Sequence, residues 1–182
     1  MIRAAALILV LAGALPRPVS AIEQDVSVAG LKAAFIANFA KFAEWPESVL
    51  PPGAVISFCI AGDKAVQQAL EANLKRAGGG AASVRVVAPE GPFAQCQMLY
   101  IGNTDVREGR RVIDALQGAA IFTVSDAAGF AEAGGIAELR LQRDGKMRFA
   151  INPAAAQRVH VALSAKLLSL ATLVKDGPNA TR

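Results

Sequence analysis

Ser125, Asp126 and His160 are the residue types of a hydrolytic triad, so the search for chemistry in this chain starts with them. A triad needs a hydroxyl, a histidine to take its proton and a carboxylate to orient that histidine. The surrounding sequence argues against one. There is no G-x-S-x-G elbow, no H-E-x-x-H pair and no phosphate-binding glycine loop. His160, the only histidine, lies in the apolar run Val159-His160-Val161, where it reads as a packing residue. With Tyr100 as the only tyrosine, the acid–base inventory is thin, and the chain is expected to bind rather than to catalyse.

Cys59 and Cys96 are the other reactive pair. Arg3 precedes an apolar run over residues 4–15, and Val19-Ser20-Ala21 places small residues where a signal peptidase reads. Residues 1–21 are therefore expected to be a secretory signal peptide cleaved after Ala21, because the run is too short to span a bilayer. In the oxidising compartment beyond, the two cysteines favour a disulfide, with two separately buried thiols as the alternative. Such a bond would stabilise the fold by roughly 4 kcal/mol through loop closure. No C-x-x-C occurs and the histidine is remote, so neither a metal nor a cofactor is expected.

Removing Arg3 and Arg17 from the 19 basic residues leaves 17 against 15 acidic ones, a net charge of +2. The basic residues are scattered, which speaks against nucleic acid as a partner.

These residues must be positioned by a framework, and residues 121–152 organise it. The apolar run 121–124 reads as a strand that stops at Ser125-Asp126. A constrained loop follows through Gly129-Phe130 and Gly134-Gly135. Ile136, Leu139 and Leu141 then begin a hairpin with its turn at Asp144-Gly145, and Met147, Phe149 and Ile151 return from it. Asn152-Pro153 is a helix start, an Asn cap followed by proline at the first helical position.

Upstream, Leu31, Phe35, Phe39 and Phe42 recur at helical spacing over residues 26–44, with Asp25 or Ser27 as caps and Pro46 as the stop. Lys32 and Lys41 fall largely away from that stripe. Trp45, beside the proline, is the better interface residue. Strands are read at 55–60, 84–87 and 98–101, with helices at 65–74 and 105–116 between them, which makes two βαβ units. Helical pieces follow at 153–158 and 164–174.

The fold class is α/β. A single three-layer domain is expected, with a mostly parallel central sheet from βαβ units, a C-terminal β-hairpin and flanking helices. It spans residues 22–175 and is followed by a flexible tail, 176–182.

In such a sheet, polar residues leaving the carboxyl ends of strands are the default ligand contacts. Asp63, after the first strand, and Ser125 and Asp126, after the fourth, stand there. Ser and Asp also cap loops by hydrogen-bonding their backbone, and Phe130 reads as a plug that holds the loop down. A small-molecule module with a pocket near Asp63, Ser125, Asp126 and Phe130 is therefore one reading, and a hydrolase built on Ser125 is another.

Several ordered motifs resemble the YfiR family: LKAAFIANFAKFAEWP at 31–46, Cys59 before Ala61-Gly62-Asp63, Cys96 leading into LYIG, TVSDAAGFAEAGGI at 123–136, RFAIN at 148–152 and LSAKLLSLA at 163–171. The resemblance covers nearly the whole chain after residue 21. It implies a periplasmic α/β protein without catalysis that represses an inner-membrane diguanylate cyclase through the cyclase's periplasmic domain. It further implies lower cyclic di-GMP and less biofilm, relief of repression by envelope or redox stress or by an outer-membrane lipoprotein, self-association as a homodimer, and a disulfide within the chain matching Cys59 and Cys96. Lys41, Trp45, Ser125, Asp126 and Asn152 match the family pattern and are the contact residues it suggests. The second cysteine pair that some members carry near the hairpin is missing.

Overall fold

The computed structural model describes residues 21–78 and 82–178. The expected signal peptide lies outside the described residues except for Ala21, as do Gly79, Gly80 and the last four residues of the expected tail. Helix α1, Ala21–Phe39, continues through a 3₁₀ turn, Ala40–Phe42, into the short strand β1, Ala43–Glu44. Then come β2 (Ile56–Ala61), α2 (Lys64–Arg76), β3 (Ala82–Val86), β4 (Met98–Ile101), α3 (Val106–Ala115) and β5 (Phe122–Ser125). The chain closes with β6 (Ala137–Leu141), β7 (Met147–Ile151), α4 (Pro153–Arg158), β8 (Ala162–Leu163), α5 (Ala165–Leu170) and β9 (Thr172–Leu173).

The main sheet has the order β3-β2-β4-β5-β6-β7-β9. Its first five members are mutually parallel, β7 returns antiparallel to β6, and β9 lies parallel to β7. Both faces are covered, as a parallel sheet requires. Phe58, Ile60, Met98, Tyr100, Phe122 and Val124 face the core that α1 and α2 complete, while Cys59, Ala61, Leu99 and Ile101 face the core that includes Val112 and Leu116 of the α3 segment. The three-layer α/β expectation is met.

The face α1 buries is set by its small residues. Ala29, Ala33, Ile36, Phe39 and Ala40 are buried, and Leu31 and Phe35 lie half-buried at the margin. The expected stripe is thus rotated, because the alanines let the helix lie close to its neighbours. Phe39 stacks on Phe122 at 5.7 Å and meets Phe149 edge-on at 5.1 Å, within the range of favourable ring pairs. Asp25 and Ser27 lie inside the helix rather than capping it. Helical geometry also ends before Pro46, because β1 pairs antiparallel with β8.

The last helix departs from expectation for the same kind of reason. It stops at Leu170, and Thr172 and Leu173 pair with Ala150 and Ile151 of β7. The hairpin turn is three residues long. Gln142 accepts from Gly145 N–H and donates to Lys146 O, and Gly145 alone takes a positive φ, +79°, so Asp144 does not share that role.

Candidate functional site

The strand order reverses around β2, with β3 on one side and β4 on the other. The crevice between the carboxyl ends of β2 and β4 is where sheets of this type gather ligands. Here it is stitched shut. Gly102 N–H donates to Ala61 O at 2.9 Å, and Asn103 Nδ2 donates to Gly62 O at 2.6 Å. A Cβ on Gly62 would stand 2.5 Å from Gly102 O, and its φ of +79° also demands glycine.

The polar residues gather instead beneath α1. Lys32 reaches over the sheet end to Asp126 Oδ2 at 2.7 Å and to Asp63 Oδ2 at 3.7 Å. Its side chain is only 13% exposed, although its place on the helical wheel suggests solvent. Asp63 also caps α2 by accepting from Val66 N–H at 3.0 Å. Tyr100 donates its hydroxyl to Asp126 Oδ1 at 3.1 Å. Burial pushes the Tyr100 phenol far above its ordinary range, and the Asp126 and Asp63 carboxylates push the same way, so the group stays a donor.

Behind Asp126, residues 126–136 make the crossover from β5 to the parallel β6 without a helix. Their backbone groups must find partners elsewhere. Ser125, fully buried, donates to Ile101 O at 2.7 Å and accepts from Ala127 N–H at 3.1 Å. Glu138 Oε2 accepts from Gly129 and Ala131 N–H at 3.1 and 3.3 Å, while its Oε1 accepts from Arg140 Nε at 2.7 Å. Arg140 also reaches Glu132 at 3.0 Å. The hydrogen bond to Glu138 is the main reason the guanidinium pKa is raised. Asn152, also buried, caps α4 through Ala155 N–H and donates to Ala131 O at 2.8 Å and Asp176 Oδ1 at 2.7 Å. Phe130 fills the space beside Gly109 and Gly135 as the expected plug.

The contact residues suggested by sequence thus fall into different settings. Lys32 brings Asp63 and Asp126 together. Ser125, Phe130 and Asn152 hold the crossover in place. Lys41 is exposed and donates to Asn38 Oδ1 at 3.1 Å. Trp45 is 9% exposed and packs in the core, with its Nε1 buried and without a hydrogen-bond partner.

His160 corrects an expectation. It is exposed, at φ +55° just past α4, so it does not pack among its apolar neighbours, and the Ser125 hydroxyl bonds to backbone rather than to imidazole. The tail is also tied at its start. Asp176 pairs with Arg158, and Gly177 N–H donates to Glu132 O at 2.7 Å.

The expected disulfide is present. Cys59 in β2 joins Cys96 just ahead of β4, with Cα atoms 5.7 Å apart and both residues buried.

Sequence reasoning missed Lys32, Tyr100, Glu138, Arg140 and Asp176. The signal for Glu138 and Arg140 was available, since two charges alternating within an apolar strand beside a glycine-rich loop are candidates for pairing with that loop. Lys32 and Asp176 carried no such signal, because their partners are distant in sequence.

A YfiR/HmsC-like family model matches residues 29–172. No curated protein matches the chain.

Proposed function

The chain belongs to the YfiR/HmsC-like family of periplasmic regulators of cyclic di-GMP signalling, and we propose that it represses an inner-membrane diguanylate cyclase by binding the cyclase's periplasmic domain. The observation that carries this reading is how the pattern residues are used. Ser125, Asn152 and Phe130 spend their hydrogen bonds and bulk on fixing one crossover, which suits a rigid binding module better than a reactive site.

Repression requires that the chain bind the cyclase's inactive arrangement more tightly than its active one. At saturation, a tenfold fall in the ratio of active to inactive cyclase needs a preference of about 1.4 kcal/mol. The repressor acts as a homodimer, an outer-membrane lipoprotein relieves it by sequestration, and the outcome is control of biofilm formation. Lys41, Asp63 and Asp126 are the pattern or strand-end residues with polar atoms closest to the surface, and they are the contacts proposed for the partner.

The Cys59–Cys96 bond gives the redox arm of the proposal. It ties two adjacent central strands, so reducing it weakens the sheet on which any docking surface rests. The test is binding of the purified protein to the periplasmic domain of a diguanylate cyclase encoded nearby, first oxidised and then reduced. Saturable binding that falls on reduction is expected. Absence of binding in both states overturns the repressor reading, and equal binding in both states overturns the redox arm alone.

A further inference from the structure

Between α1, the 126–136 crossover and the β6–β7 hairpin lies a cleft of about 610 Å³, within the size range of small-molecule sites. One wall is apolar, formed by Val28 of α1 with Leu141 and Met147 of the hairpin. Leu141 is 49% exposed, so this wall offers apolar surface to water. The polar end carries Asp126 with Lys32, and Glu138 with Arg140.

The balance of charge decides what this end can take. Lys32 faces two carboxylates, Asp126 and Asp63, and Arg140 faces two more, Glu138 and Glu132. Both cations are therefore already answered within the cleft, while the other basic residues of the hairpin, Arg143, Lys146 and the Arg148 that stands opposite Arg140, are outside its lining. Of the two carboxylates lining the cleft, Glu138 is buried against the crossover amides while the Asp126 side chain is 30% exposed. Each Asp126 oxygen has one partner, Tyr100 or Lys32, and a carboxylate oxygen can accept a second.

We propose that this cleft binds a small organic cation, an ammonium or guanidinium group on an apolar stem. The charge sits beside Asp126 and the stem lies along Val28, Leu141 and Met147. An anion of the same shape is repelled by the Asp126 and Glu138 carboxylates, and a neutral alcohol offers Asp126 only a weaker, uncharged donor. The site keeps the strand-end position of the small-ligand reading but moves the ligand away from the buried Ser125 and Phe130. It is independent of the repressor reading, since amine binding is measured without a cyclase.

The experiment is calorimetric titration of the purified protein with hexylamine and agmatine, alongside hexanol and hexanoate. Saturable amine binding is expected, roughly tenfold or more tighter than that of hexanol, as befits a hydrogen bond to a charged group, with hexanoate weakest of all. Asp126→Asn should weaken hexylamine by a similar factor. Leu141→Ser, on the half-exposed wall, should weaken hexylamine while leaving the free protein folded with a melting temperature lowered by no more than a few degrees, and so keeps the test decisive if Asp126→Asn does not fold. Equal response to hexylamine and hexanoate, no saturable amine binding, or full affinity in both variants overturns the proposal.

Discussion

Lys32 Nζ on α1 stands 2.7 Å from Asp126 Oδ2 at the end of β5, and this contact fastens the first helix to the carboxyl edge of the sheet. With Asp63 also 3.7 Å away, Lys32 separates two carboxylates that otherwise share one poorly hydrated space. Removing the cation is therefore worse than removing the pair.

Lys32→Met should cost about 1–3 kcal/mol, because it leaves partly buried negative charge unanswered. Lys32→Met combined with Asp126→Asn should cost less than the sum of the single changes, with a coupling of roughly 1 kcal/mol or more. Urea unfolding of the four proteins closes the cycle. Additive costs would mean that the two groups do not interact in solution.

Phe130 and Gly135 make a steric pair of the same importance. A Cβ at Gly135 would overlap the Phe130 ring, and one at Gly109 would stand 2.9 Å from its Cδ2. Gly135→Ala should destabilise by about 1–3 kcal/mol through overpacking. In a Phe130→Leu background the same substitution should cost clearly less, because the overlapping ring is gone. An unchanged cost in that background would place the penalty in the backbone instead.

What could be read from the sequence follows from how local each feature is. The strand at Met98–Ile101 and the hairpin return at Met147–Ile151 keep their expected bounds, because apolar runs between turn residues carry that information within a few positions. The Asn152-Pro153 helix start is equally local, and Asn152 Oδ1 does accept from Ala155 N–H. The ends of α1 and α5 were not readable. Each is cut short by a two-residue strand whose partner is far along the chain, Ala43 with Leu163 and Thr172 with Ala150. Lys32 fails for a related reason, because a helical wheel places it toward water while two distant aspartates draw it inward.

Asp176 should make part of the protein's stability depend on acid. The Arg158 guanidinium, with Asn152 adding a hydrogen bond, holds its carboxyl below the ordinary value of 3.8. A pKa lower in the folded than in the unfolded state contributes stability that is fully present above the unfolded value and is lost as pH falls through the folded one. Asp176→Asn should therefore be less stable than the parent at neutral pH, and the gap should narrow as pH falls below about 4. Urea midpoints measured across that interval check the sign. A gap that stays constant with pH would remove the carboxylate from the argument.

The Cys59–Cys96 bond joins neighbouring central strands across a sequence separation of 37, and both residues are buried. Disulfide exchange needs a thiolate to reach a sulfur atom directly, so a small reductant can act only when the structure opens. In native buffer the bond should therefore be reduced far more slowly than an exposed disulfide. At high reductant concentration the rate should level off at the rate of opening, and mild denaturant should accelerate it. Replacing both cysteines by serine should cost roughly 4 kcal/mol, the estimate for closing a loop of this length. The two measurements together decide what the bond does. Slow, opening-limited reduction with a large stability loss describes a bond that senses redox stress only when the envelope also unfolds proteins. Fast reduction with little stability loss describes an open switch, which would require the strands around Cys59 to separate readily in the native state.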